Sequence, residues 1–188
     1  MFGRLRIEAL VILALVAALA GTSLADDGAV RSEVQKTDSG ELVLVQELVI
    51  AAPVARVWEA YVTSEGWMAW AVPLAEVDLR AGGTIRTHYG TDAEIGDPGT
   101  ITLHVVNYVP ERVLTLQAEV SDRWPDVMKE DAENLMNVIL FEPLGESETR
   151  IRSYGVGYSD RPAYNELMEF FIPANEGLLL KLKQHLEG

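Results

Sequence analysis

Cysteine is absent from this sequence of 188 residues, and histidine occurs only three times. The absence of cysteine excludes disulfide bonds, thiol catalysis and cysteine-ligated zinc. His88, His104 and His185 lack the close spacing of a metal motif, so we expect no metal and no cofactor. The chain also lacks a nucleophile elbow, a phosphate-binding glycine loop and a paired-carboxylate motif. These absences exclude the enzyme classes that carry a linear signature.

Long apolar runs are also missing, apart from one near the N-terminus. The run from Ala9 to Ala20 follows two arginines and precedes the small residues Ser23 and Ala25. As a helix it rises about 18 Å, whereas a hydrocarbon core is about 30 Å thick. We therefore predict a signal peptide over residues 1–25 that is cleaved after Ala25, which gives an exported protein, periplasmic or secreted, without a membrane anchor.

Basic residues are scarce relative to acidic ones. Removing 25 of the 188 residues leaves 163, with 13 of the 15 Lys and Arg and 28 of the 29 Asp and Glu, a formal charge of −15. Nucleic acids and anionic membranes bind through Lys and Arg, so neither is expected as a partner. A chain of this length suits one domain that needs no disulfide for stability.

The hydropathy pattern predicts a linker followed by one α+β domain. Residues 26–40 are polar without a sustained period and are interpreted as an N-terminal linker, which leaves 41–188 as the domain. Glu41–Ile50 is predicted to be a first strand, and after the helical region six β-rich segments with short connections predict an antiparallel meander. They are Val77–Arg80, Gly83–Tyr89, Gly99–Val109, Val113–Val120, Asn134–Phe141 and Thr149–Val156. The acidic segment from Ser121 to Glu133 is predicted to be a mobile loop.

Helical spacing of apolar residues is seen in two regions. After Pro53, an amphipathic helix is predicted, with a second helical turn at Trp67 to Trp70. The long pattern from Arg161 to Glu187 predicts a C-terminal helix. Because Pro173 interrupts this pattern, we expect a kink near Ile172 or two helices that meet there.

Four short segments stand out, namely Ile50 to Ala60, Trp67-x-x-Trp70, Arg80 to Arg86 and Gly177 to Lys183. They resemble the activator of Hsp90 ATPase homologue-like family of the START-like SRPBCC superfamily, in which Trp67-x-x-Trp70 looks like the aromatic pair of the second helix. Ile50 to Ala60 (IAAPVARVWEA) is similar to its opening I-x-A-P-x-x-x-V-W-x-A. Arg80 to Arg86 is similar to its P-G-G-x-F-R segment, with Ala81 in place of proline, and Gly177 to Lys183 to its terminal G-W-x-x-x-L, with Leu178 in place of tryptophan. The resemblance, over 41–187, implies a helix-grip fold, in which a curved antiparallel sheet wraps a long C-terminal helix.

The helix-grip fold implies a pocket between sheet and helix, and six residues are candidates for binding a ligand there. They are Trp67, Trp70, His88, His104, Met168 and Phe171. For the two tryptophans the alternative is packing between helices and sheet, and for the two histidines it is a structural or solvent-facing role. Glu47 and Asn137 interrupt apolar strand faces and must meet solvent, a partner or a polar ligand group, and an inward Arg152 would bind a carboxylate.

Three functions are consistent with this sequence. The first is a binding protein that encloses a small, mostly apolar molecule between the sheet and the C-terminal helix. The second is a cyclase or lyase type of enzyme, which needs two convergent titratable groups in the same cavity. The third, implied by the family's namesake, is a chaperone-interacting protein, and it ranks last because cytosolic Hsp90 does not meet an exported protein.

Overall fold

The computed structural model describes residues 28–188, and the predicted signal peptide lies outside them. Within this range an antiparallel sheet is combined with helices in an α+β fold. The strands are β1 (Arg31–Lys36), β2 (Leu42–Ile50), β3 (Leu74–Val77), β4 (Thr84–His88), β5 (Ile101–Val109), β6 (Val113–Ala118), β7 (Met136–Pro143) and β8 (Thr149–Tyr158). The helices are α1 (Val54–Val62), α2 (Ser64–Trp70), α3 (Asp126–Glu130) and α4 (Pro162–Glu187). None of these helices is long and apolar enough to cross a membrane.

The eight strands form one curved sheet in the order β1-β2-β8-β7-β6-β5-β4-β3. Strands β3 to β8 are neighbours in chain order, which confirms the predicted meander. Strand β2 then pairs with β8, from Leu42 opposite Tyr158 to Ile50 opposite Thr149. The strand that precedes α1 is thereby joined to the last strand, and α4 follows after β8.

The segment interpreted as a linker contains a strand instead. Strand β1 pairs with β2 from Arg31 opposite Glu47 to Lys36 opposite Leu42. Five of its six residues are exposed, since it lies at the edge of the sheet. An exposed edge strand needs no alternation of apolar and polar residues, so hydropathy alone did not reveal it.

Two other boundaries differ from the prediction. Strand β3 ends at Val77, where the predicted strand began, because Asp78 to Gly83 form a turn. Gly82 has a φ of 76°, and a Cβ on Gly83 would lie 2.1 Å from the Asp78 carbonyl oxygen, so the glycine pair is structural as expected. The predicted loop at 121–133 contains α3, whose Val127 and Met128 are buried.

Helix α4 continues through Pro173 without interruption from Pro162 to Glu187. The alternative of two separate helices is therefore wrong. Proline removes the N–H that would bond to the Glu169 carbonyl one turn earlier. The helix tolerates this loss because Pro173 and Glu169 are both exposed, so water reaches that carbonyl group.

The inner face of the sheet carries two separate groups of buried side chains. The larger joins the sheet to α1, α2 and the C-terminal part of α4, and it contains Trp58, Phe141 and Leu182. The smaller lies where α3 meets the start of α4 and is centred on Tyr164, which is fully buried. The space between these two groups is the location of the candidate site.

Candidate ligand cavity

The inward face of α4 is buried at both ends but not in its middle. Tyr164 and Met168 are buried near its start, and Leu179, Leu182 and Leu186 near its end. Phe171, Asn175 and Leu178 continue the same face at helical spacing, yet each is only half-buried. The middle of the helix therefore passes over a cavity rather than over packed core.

This cavity has a volume of about 250 Å³ and lies between the two buried groups. Its walls include Leu116 and Ile139 from the sheet and Leu178 and Leu179 from α4. Trp124, Met128 and Leu135 close the side that faces α3. The enclosure is predominantly apolar, which is the character of pockets that hold small molecules.

Trp67 and Trp70 form a wall that is apolar even though indole carries a polar N–H. The Trp67 Nε1 donates to the Tyr61 carbonyl at 2.7 Å, and the Trp70 Nε1 donates to the Ala60 carbonyl at 3.0 Å. Their rings stack with centroids 5.4 Å apart. Both side chains thus pack α2 onto α1 and also line the cavity with carbon surface.

A polar row crosses the sheet at one side of the cavity. Gln46 on β2 lies opposite Ser153 on β8, and Asn137 on β7 lies opposite Gly155, two residues further along β8. All three polar side chains line the cavity. The Ser153 Oγ donates to the Asn137 Oδ1 at 2.8 Å. Asn137, which the sequence marked as an interruption, thus has a partner and faces the cavity.

No Asp, Glu, Lys, Arg or His is among the described residues that line this cavity. Its titratable groups are the phenols of Tyr61 and Tyr158, and burial raises the pKa of both. Each phenol therefore stays protonated and uncharged at neutral pH. The cavity is an uncharged compartment that offers amide and hydroxyl groups for hydrogen bonding.

The structure brings three of the six candidate residues to the cavity. Trp67, Trp70 and Phe171 line it, whereas Met168 is buried beside it without reaching its surface. Met168 lies one turn before Phe171, at a point where α4 is already packed. Ligand binding by these residues stays a prediction, but three of them have the position that it requires.

His88 and His104 lie outside the cavity and on the opposite face of the sheet. Ile85 and Thr87 are the buried residues of β4, so His88 points the other way. His104 pairs with Thr84 rather than with His88, and its Nε2 lies 3.3 Å from Glu119. The two histidines therefore do not line the cavity as ligand-binding candidates should, because strand alternation turns both of them outward.

Glu47 and Arg152 also belong to the outer face. Glu47 lies opposite Arg152, with Oε2 and Nε 2.5 Å apart, and Arg150 joins them through Glu142 at 3.1 Å. The inward Arg152 that would bind a carboxylate is therefore absent. The inward polar residue of β2 is Gln46, only 1% exposed, and sequence reasoning missed it because glutamine is less conspicuous than its charged neighbour.

A half-buried carboxylate fixes the α3 side of the cavity. Asp131 accepts hydrogen bonds from Tyr164 and Ser159, both at 2.9 Å, and pairs with Arg161. Burial raises the pKa of Asp131, but the bonds from Arg161, Tyr164 and Ser159 outweigh it and hold that pKa below its usual value. This cluster ties the start of α4 to the segment that carries Trp124 and so positions one wall.

Potential metal ligands do not gather anywhere in the described part of the chain, where no group of three or more His, Asp or Glu side chains is suitably placed. The expectation that the protein needs no metal stays a prediction to be tested in solution.

With the fold and cavity defined, comparison with known proteins identifies the family. The family described as activator of Hsp90 ATPase homolog 1-like protein matches residues 51–187. The chain belongs to this family. The resemblance inferred from the sequence segments is thereby confirmed, together with the SRPBCC-type fold. A search of curated protein sequences gave no significant match.

Solved structures of this family share the fold at low sequence identity. MLL2253 from Mesorhizobium loti aligns with a TM-score of 0.60 at 16% identity, over 77% of this chain and 96% of that one. The Aha1 dimer from Colwellia psychrerythraea aligns with a TM-score of 0.59, also at 16% identity, over 77% and 96% of the two chains. PFC0360w, an HSP90 activator from Plasmodium falciparum, gives 0.53 at 16% identity, over 73% and 90%. At such identities the likeness concerns the fold alone.

Proposed function

We propose that this member of the family is exported and binds one small, predominantly apolar molecule in the cavity beneath α4. The observation that carries the proposal is the inward face of α4, which lies over a cavity of about 250 Å³ between two packed regions. A core evolved only for stability is packed to near-crystalline density. Apolar surface left uncovered beneath a helix lacks packing contacts, and a ligand that covers it recovers that free energy.

Catalysis of the cyclase or lyase type is the alternative function, but the titratable residues that line the cavity do not support it. Such an enzyme needs an acid and a base that converge on one substrate atom. The titratable groups that line the cavity are two tyrosines, and burial raises the pKa of each. Neither phenol acts as a base at neutral pH, so binding is the better-supported function.

Interaction with a chaperone is the third candidate and rests on the family description and on the structural neighbour described as an HSP90 activator. It requires a docking surface rather than a cavity, and it conflicts with the proposed export. Export is supported by the predicted signal peptide over residues 1–25.

The proposal is tested with the neutral fluorescent probe N-phenyl-1-naphthylamine, whose emission rises in apolar surroundings. Ala118 lines the cavity, so Ala118→Phe should place a ring inside it. Ala163 is exposed on the first turn of α4, and Ala163→Phe is the matched control. We expect saturable binding at one site in wild type and in the control, and at least tenfold weaker binding in Ala118→Phe.

Stability of the same variants adds a second readout. Filling existing space should leave the free energy of unfolding nearly unchanged, whereas overpacking a dense core costs about 1–3 kcal/mol. Probe binding that is absent from wild type, or unaffected by Ala118→Phe, would show that the cavity is not a ligand site.

A further inference from the structure

The polar row formed by Gln46, Ser153 and Asn137 gives the cavity a chemical preference as well as a size. These residues occupy adjacent inward positions on β2, β8 and β7. Around them the sheet contributes Leu44, Leu116 and Ile139. A ligand in this cavity therefore meets hydrogen-bonding groups along this row, whereas the remaining walls are mostly carbon surface with polar atoms from Asn175, Tyr61 and Tyr158.

The orientation of the Gln46 amide is fixed by partners outside the cavity. The Ser32 hydroxyl donates to the Glu176 carboxylate at 2.7 Å, so its oxygen is left to accept from the Gln46 Nε2 at 3.0 Å. The same Nε2 lies 3.4 Å from the Ile172 carbonyl oxygen, a second acceptor. Two acceptors on one side hold the NH₂ group there and turn the Gln46 Oε1 towards the cavity as an acceptor.

Asn137 presents the opposite group. Its Oδ1 accepts from the Ser153 hydroxyl at 2.8 Å, which leaves its Nδ2 as the donor. Among residues 28–188, neither the Gln46 Oε1 nor the Asn137 Nδ2 has a hydrogen-bond partner, and neither is sealed from accessible space. Because both residues line the cavity, these atoms open onto it. The polar row thus carries one unused acceptor and one unused donor.

Formal charge is missing from the walls, and this decides which ligand end groups fit. A carboxylate or ammonium that enters an apolar cavity loses its hydration and needs an opposite charge to compensate. The nearest arginines in the sheet, Arg150 and Arg152, lie on the outer face and are paired with Glu47 and Glu142. Neutral groups that donate and accept hydrogen bonds avoid this cost and satisfy both free amide atoms.

We propose that the cavity selects a neutral ligand whose polar end both donates and accepts hydrogen bonds, a primary amide or an alcohol, and that it discriminates against carboxylates and amines. This inference rests on the proposed binding function and names the ligand class for the same site. Gln46 and Asn137 are its specificity-determining residues.

The test is a series of naphthalene derivatives that differ in one substituent, measured by displacement of N-phenyl-1-naphthylamine at pH 7.5. The series comprises 2-naphthamide, 2-naphthylmethanol, 2-methylnaphthalene, 2-naphthoate and 2-naphthylmethylammonium. The amide and the alcohol should bind at least tenfold more tightly than the two charged compounds. Equal affinity of the carboxylate and the amide would overturn the inference.

Two variants locate the preference, and a third is the control. Gln46→Leu and Asn137→Leu should each lower the affinity for 2-naphthamide at least fivefold while leaving the affinity for 2-methylnaphthalene unchanged. Gln117 does not line the cavity, and its amide donates to the Glu133 carbonyl at 2.9 Å. Gln117→Leu should therefore change the affinity for neither 2-naphthamide nor 2-methylnaphthalene. Folded variants that keep the full amide preference would overturn the assignment of Gln46 and Asn137, and if a variant fails to fold, the wild-type series still decides.

The failures of the two proposals are distinguishable. If 2-methylnaphthalene and the fluorescent probe both fail to bind, the cavity is not a ligand site and the proposed function falls together with the inference. If 2-methylnaphthalene binds and the amide is not preferred over the carboxylate, binding stands and only the ligand class is wrong.

Discussion

Phe171 and Phe141 provide a matched pair for testing whether the space beneath α4 is a cavity. Phe141 is 2% exposed and makes edge contacts with Trp58 and Tyr61 at centroid distances of 5.2 and 5.3 Å. Phe171 is half-buried, lines the cavity and meets Tyr158 at 6.3 Å. We expect Phe141→Ala to cost about 3–5 kcal/mol of unfolding free energy, as for a ring in a packed core.

Phe171→Ala should cost only about 1–2 kcal/mol, because the side of the ring that faces the cavity has few partner atoms to lose. The assay is urea unfolding followed by far-UV circular dichroism. The slope of unfolding free energy against urea concentration should be the same in wild type and both variants, as expected for two-state unfolding. For a chain of this size, each kcal/mol of lost unfolding free energy lowers Tm by about 2–4 °C. Phe171→Ala should also weaken binding of the fluorescent probe, whereas Phe141→Ala should leave probe binding unchanged if that variant folds.

A cost for Phe171→Ala as large as that for Phe141→Ala would refute this reasoning, because it would mean that the space is filled in solution. The same conclusion would follow if Phe171→Ala left probe binding unchanged.

Three further predictions concern acid stability, metal content and processing. The pKa of Asp131 is held below its usual value, so its stabilising contribution is complete above the pKa of an unfolded Asp, about 3.9, and is lost as the pH falls through the lower folded value. Asp131→Asn should destabilise the protein at pH 7 and reduce the loss of stability between pH 5 and pH 2, measured by urea titrations, and an unaltered pH profile would contradict the role of the cluster. A chelator should leave Tm unchanged, and a fall of many degrees would reveal a structural metal. N-terminal sequencing of exported protein should begin at Asp26, and full-length chain found only in the cytoplasm would contradict export.

The sequence predicted those helices and strands that have one buried face and one exposed face. The apolar spacing of Val54, Val57, Trp58 and Tyr61 predicted α1, and all of them are buried there except Val54, which is half-buried. The meander and α4 were predicted for the same reason, that each has one face against the core. Strand β1 was missed because an edge strand is held by backbone hydrogen bonds rather than by apolar burial, and the pattern therefore left no trace in residues 31–36.

The candidate site was predicted less completely because its position depends on sheet register. A shift of one residue along a strand moves a side chain to the other face. His88, His104 and Glu47 were considered for the cavity on residue type, and register places all three on the outer face. Gln46 lies beside Glu47 in the chain and faces inward, and no feature of its residue type distinguishes it.

Trp124 and Met128 were missed for a different reason. They lie in the segment predicted as a mobile loop, which its acidic composition suggested. Asp131 explains the difference, because its bonds to Tyr164 and Arg161 fix this segment against α4. A carboxylate whose partners are about thirty residues away in sequence is visible only once the chain is folded.

The most direct test of the central claim is native mass spectrometry of the protein purified from its own host, with Ala118→Phe prepared in the same way. The account predicts that wild-type protein carries one small neutral molecule and that the variant, correctly folded, carries none. Wild-type protein that is always free of ligand and binds no member of the naphthalene series, or a variant that carries the same molecule, would contradict the claim that the cavity beneath α4 is the functional site.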